Sequence, residues 1–154
     1  MIRVVCVITV LVLSFSVWSE SEPTTVTWEM MEELNYETGE MPESLSLLNK
    51  QRVEASGFIV PLEMDEYIDS VSEFLLVPDP LACIHVPPPP PNQLIHVKMK
   101  EEIPLDMDAR GVAIIGTLEI FKEADQYTYK MTGESAKEAN IEFDDPLMDI
   151  LWFE

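Results

Sequence analysis

The chain has 154 residues, 47% of them hydrophobic, and carries 29 acidic against 9 basic side chains, a net charge of −20. That length is one domain's worth and long enough to bury a core. A field of that sign repels phosphate backbones and anionic lipid, which excludes nucleic-acid binding and docking on an anionic membrane surface. Cations, basic peptides and basic partner surfaces remain admissible, beside plain solubility.

Residues 1–19 read as a signal peptide. Arg3 supplies a positive start, Val4 to Val17 is almost uninterruptedly apolar, and Val17-Trp18-Ser19 leads to Glu20 with the modest residues that a signal peptidase requires. The apolar run is short for a membrane span, so the expectation is cleavage, a periplasmic mature chain and no membrane insertion afterwards. Cys6 lies inside the apolar run with no lipobox around it. Cleavage removes one arginine and no acid, leaving a net charge of −21 and a single cysteine, Cys83. One cysteine cannot form an internal disulfide, so the fold must stand on its core.

Residues 20–51 read as a leader with a short helix, and residues 52–154 as a β-barrel domain with a docked C-terminal tail. Ser21 to Thr27 reads as flexible. Trp28 to Leu34 reads as a helix: Thr27 is an N-cap, acids fill the first turn, and Trp28, Met31 and Leu34 form one apolar stripe. After a loop with Gly39 and Pro42, Leu45, Leu47 and Leu48 lead into the first strand, Arg52 to Leu62. Gly57 in its middle predicts a bulge or sharp bend. Further strands are predicted at Glu73–Val77, Cys83–Val86, Gln93–Lys100, Gly111–Phe121 and Gln126–Thr132, with Gly116 repeating the mid-strand glycine. Val60-Pro61, Val77-Pro78 and Val86-Pro87 each close an apolar run, because proline cannot donate to a ladder. Ala136 to Ala139 reads as a helical turn, and the apolar tail from Ile141 to Phe153 is expected to dock on the barrel. Short strands with bend glycines and little helix between them predict a mainly β fold. The expectation is a small, partly open, OB-like five-stranded barrel with short flanking helices, the alternative being a small β-sandwich.

The chemistry concentrates in Ala82-Cys83-Ile84-His85-Val86 and the five prolines that follow, Pro87, Pro88, Pro89, Pro90 and Pro91, ending in Asn92-Gln93. In an extended segment residues two apart share a face, so Cys83 and His85 project together. On the next strand His96 points away from Ile95, Val97 and Met99. Were that strand to pair with Cys83–Val86, Cys83, His85 and His96 would offer a sulfur and two nitrogens, a set that zinc or copper accepts. Glu63, Asp65, Asp79, Glu101 and Glu102 are the carboxylates available to complete such a shell. The competing reading makes Cys83 a buried small hydrophobe. Catalysis by a Cys83 thiolate beside His85 is a third option. No Cys-x-x-Cys, phosphate loop or nucleophile elbow accompanies it. The proline run spans about 15 Å as a polyproline II segment at about 3.1 Å per residue. It serves either as a strut that sets the distance between two strands or, with Asn92 and Gln93, as a docking surface for an aromatic-lined groove.

Several of these blocks together resemble an uncharacterised bacterial family. They are Trp28-Glu29 with Leu34, Gly57-Phe58-x-Val60-Pro61-Leu62-Glu63, Phe74 to Pro78, the whole Ala82 to Gln93 segment, and Gly116-Thr117-Leu118. The family comprises small exported proteins or lipoproteins and is known as a domain of unknown function; the resemblance spans roughly residues 27 to 133. It implies an envelope location, association with an envelope protein partner or an ABC-type transport system, some of which serve metal uptake, and no established catalytic activity. This chain departs from the family in having Asp79-Pro80-Leu81 where an aromatic-Gly pair often precedes Ala-Cys, and in lacking the lipobox cysteine. The combined expectation is a periplasmic, non-catalytic binding or accessory module handling a transition metal at Cys83, His85 and His96. The alternative is an interaction module that docks through Pro87 to Gln93.

Overall fold

The computed structural model describes residues 22–62, 69–79, 89–121 and 128–141. In chain order the elements are β1 (Thr24–Val26), α1 (Trp28–Glu32), α2 (Glu43–Ser46), β2 (Arg52–Pro61), β3 (Ser70–Val77), β4 (Ile95–Pro104), β5 (Val112–Ile120) and β6 (Tyr129–Glu138). Two 3-10 turns, Pro91–Gln93 and Leu105–Arg110, lead into β4 and out of it.

Alternation of side chains decides which face of each strand turns inward. Along β4, Ile95, Val97, Met99 and Ile103 are buried, while His96 is only partly covered and Lys98 is exposed. A two-residue repeat of this kind can satisfy one core and one solvated face at once. β3 contributes Phe74 and Leu76, and β5 contributes Ile114 and Leu118, all fully buried.

The sheet runs β1-β2-β3-β4-β6-β5 and closes on itself because β5 also pairs with β2. Five strands, β2 to β6, therefore make a closed barrel in which β6 lies between β4 and β5 and runs parallel to β4. This is the connectivity of an OB-like barrel, as the sequence predicts, with β1 added as a parallel strand beside Val53–Ala55. Closure removes the free edges that an open sheet would expose.

The two mid-strand glycines sit where the sheet bends. β2 pairs with β5 from Arg52 to Gly57 and with β3 from Phe58 to Pro61, so it changes partner at Gly57. A Cβ at Gly57 would lie 2.6 Å from the Val77 carbonyl oxygen and 3.0 Å from Trp28 Cζ2, which only glycine tolerates. The β5–β6 register shifts between Ile115 and Gly116, a bulge at the second predicted position.

α1 packs its apolar face against the barrel core. Thr27 caps it as expected, accepting from the Met30 N–H at 3.4 Å. Met31 and Leu34 are buried, and Trp28 lies against the core with its indole N–H donating to the Ser56 carbonyl at 2.7 Å. A five-residue helix leaves most of its last carbonyls without internal donors. Here the barrel supplies them: the Tyr129 hydroxyl donates to Met31 O at 2.8 Å, and burial of that phenol pushes its pKa well above the usual value.

Three local expectations are corrected. Thr24–Val26, expected to be flexible, is strand β1, because the edge of β2 beside Val53–Ala55 offers it a ladder. Leu45 lies in helix α2 instead of a strand approach, with its side chain buried and Leu47 left exposed. Ala136–Glu138 continues β6 instead of turning helical, since pairing with Val112–Ile114 outweighs the weak helical preference of three residues. The signal segment 1–19, the Cys83–Val86 strand and the tail beyond Ile141 lie outside the described residues. No helix among the described residues is long and apolar enough to cross a membrane.

Candidate functional site

The chain leaves β3 at Val77 and enters β4 at Ile95, with the Cys83 and proline segment between them. Cys83, His85, Pro87 and Pro88 lie outside the described residues; Pro89 to Gln93 and His96 lie inside. Pro90 is exposed, and Pro91 opens the 3-10 turn in which Gln93 N–H donates to Pro90 O at 2.8 Å. Proline suits that first position because it has no N–H to lose and a φ already set for the turn.

Asn92 fastens this end of the proline run to the barrel. It is only 8% exposed, and its Nδ2 donates to the carbonyls of Glu32 at 3.1 Å and Leu34 at 3.0 Å. Together with Tyr129 it satisfies the carbonyls at the end of α1, so one amide group joins the helix, the proline run and the start of β4. Among the described residues the Asn92 Oδ1 and the Gln93 Nε2 are buried without a hydrogen-bond partner.

His96 stands on the outer face of β4, as its alternation with Ile95 and Val97 predicts. Its Nε2 lies 2.9 Å from Glu73 Oε1, and Lys98 Nζ lies 3.7 Å from the other oxygen of the same carboxylate. β4 meets β3 on one side, with His96 opposite Leu75, and β6 on the other, with His96 opposite Lys130. At His96 both edges of β4 are thus taken by described strands, β3 and β6, and the Cys83–Val86 segment lies outside the described residues. Among the described residues no three His, Cys, Asp or Glu side chains gather as a metal site would need.

Glu73 is a neighbour of His96 that the sequence does not single out. Its outward position is legible in the alternation with Phe74, but its nearness depends on the β3–β4 register, in which Glu73 faces Lys98. The same outer wall carries most of the described cations. Arg52 and Lys100 meet Glu134 at 2.8 and 3.1 Å and hold its carboxyl below the usual range; Lys137 meets Glu54 at 2.8 Å. Lys130 stands 4.8 Å above the Phe121 ring.

Asp108 is the second residue that sequence reasoning missed. β5 pairs with β2 no further than Gly57, and two residues later the Ile59 N–H is met instead by Asp108 Oδ2 at 3.0 Å. The turn that holds Asp108 is closed by Gly111, whose N–H donates to Asp108 O at 3.1 Å and whose φ of 79° favours glycine. Among the described residues Oδ1 is buried without a partner, and burial pushes the carboxyl up to about 6, against the opposing pull of the Ile59 N–H.

Two open cavities lie on the segment between α1 and α2. One, of about 350 Å³, is floored by Asn92 and rimmed by Glu32, Glu33, Tyr36 and Glu37. The other, of about 700 Å³, lies between Thr38 and Ser46.

A family model described as a protein of unknown function (DUF3299) matches residues 20–139. The crystal structure of a DUF3299 family protein from Pseudomonas aeruginosa PAO1 is similar, with 27% sequence identity and a TM-score of 0.59. The match covers 80% of this chain and 100% of that one. No curated protein matches the chain.

Proposed function

The chain belongs to the DUF3299 family, and from that premise we propose that it is a non-catalytic binding or accessory module of the cell envelope. In this reading residues 1–19 direct export and are removed. The mature barrel then engages an envelope protein, such as a component of an ABC-type transport system, through the proline-rich connection between β3 and β4. The observation that carries the reading is the Asn92 clamp on Glu32 and Leu34. It tethers the end of a stiff, donor-poor segment, and a polyproline backbone held in place binds at a smaller entropic cost than a free one. A pull-down from envelope extract tests it. Changing Pro88, Pro89 and Pro90 together to serine is expected to abolish partner capture while leaving the thermal midpoint unchanged; equal capture by the variant would refute the reading.

A transition metal at Cys83, His85 and His96 is the second reading. It draws on the carboxylate at 2.9 Å from the His96 ring, since a carboxylate–imidazole pair is how proteins commonly orient a ligating histidine. Calorimetric titration with zinc and with copper checks it. Uptake of one ion that Cys83→Ser removes is the expected result, and no uptake at micromolar metal disposes of the idea.

A further inference from the structure

Charge is unevenly spread over this molecule. Residues 22 to 49 contain seven glutamates and neither lysine nor arginine. Among the described residues none of those seven enters an ion pair; on the barrel Glu54, Glu73 and Glu134 are each matched by a cation, while Glu101, Glu102, Glu119 and Glu138 are not. Three of the seven, Glu32, Glu33 and Glu37, line the 350 Å³ cavity, and Glu40 and Glu43 line the neighbouring one.

The floor of that cavity gives an independent sign of a ligand. Asn92, which lines the cavity, is more than nine-tenths buried, its amide hydrogens are used on two carbonyls, and among the described residues its Oδ1 has no partner. A buried acceptor left unmade is costly, so it favours a donor from outside. Beside it Tyr36, a large ring in the cavity lining, is 44% exposed. An acid rim, an aromatic face and an unmet acceptor suit a group that is cationic and donates hydrogen bonds. A metal ion fits less well, because no three carboxylates among the described residues come together.

We propose that this cavity receives a lysine or arginine side chain from a basic segment of a protein partner. Glu32, Glu33 and Glu37 supply the attracting charge, Tyr36 packs against the stem or face of the cation, and Asn92 Oδ1 accepts a hydrogen bond at the floor. Attraction of this kind steers encounter and weakens with salt. The site does not depend on the prolines acting as a docking element, since a free basic peptide should find it.

An amide NMR titration of the chain with a hexalysine peptide and with N-ethylguanidinium, at low salt, tests the proposal. Shifts are expected at residues 32–37 and at Asn92 and Gln93. The triple change Glu32→Gln, Glu33→Gln, Glu37→Gln should raise the hexalysine Kd at least tenfold, and Tyr36→Ala about threefold. A control that removes the same charge at the opposite end of β4, Asp69→Asn with Glu101→Gln and Glu102→Gln, should raise it less than twofold. Amide dispersion shows that each variant is folded. Perturbations spread over the whole surface, a control as damaging as the cavity variant, or no binding of either probe would each overturn the proposal.

Discussion

Replacing Asp108 by asparagine removes one charge from beneath β2 and keeps nearly the same shape, so its effect on stability isolates the price of holding that carboxylate. Burial raises its pKa from 3.8 to about 6. At about 1.4 kcal/mol per unit, the whole shift would be worth about 3 kcal/mol, and screening of this half-buried group reduces it to about 1–2 kcal/mol. The folded carboxyl is the weaker acid, so the folded state still holds a proton at a pH where the unfolded chain has released it. The favourable contribution is complete below the unfolded value of 3.8 and is lost as the pH rises through about 6. Asparagine stays neutral throughout, and its Oδ1 can still accept the Ile59 N–H. The variant should therefore be more stable than the native chain by about 1–2 kcal/mol at pH 8, and the gap should fall by roughly half at pH 5. Urea titrations followed by tryptophan fluorescence at both pH values give the difference, in which the many other carboxylates cancel. A variant less stable than the native chain at pH 8, or a gap that does not change with pH, would refute the reasoning.

Gly57→Ala should cost about 1–3 kcal/mol, because the new methyl meets the Val77 carbonyl and Trp28 with no flexible group to yield. A lowered urea midpoint is the readout, and an unchanged one would mean that the β2 corner relaxes freely. Asn92→Ala deprives the Glu32 and Leu34 carbonyls of their donor and should cost about 1–3 kcal/mol. Hydrogen exchange should locate that loss in α1 and the start of β4, and uniform loss of protection would contradict the anchoring role.

Much of the candidate site was legible in one dimension and illegible in the other two. His96 could be placed on an outer face because Ile95, Val97 and Met99 alternate with it. Glu73 could not be placed beside it, because a strand's pattern states which face a residue occupies and leaves open which residue lies across the ladder. Asn92 drew notice as the end of the proline run. Its use as a cap for α1 was hidden, since the carbonyls it serves lie about sixty residues earlier in the chain. Asp108 carried no signal at all: an acid in a polar turn is ordinary until the turn is folded under a strand whose partner has ended.

By itself the sequence determined the kind of domain this is. Period-two burial, proline-ended strands, two bend glycines and a capped helix stripe are local properties, and local sterics and hydrophobicity suffice to express them. Only the tertiary structure decided that β5 returns to β2 and closes the barrel, that Thr24–Val26 joins it, and that β6 outlasts its own helical preference. Each of those outcomes depends on pairing between distant segments, where the gain from a completed ladder exceeds what any short stretch prefers alone. The acid-rimmed cavity belongs to the same class, for its rim lies before the barrel and its floor, Asn92, is supplied by the approach to β4.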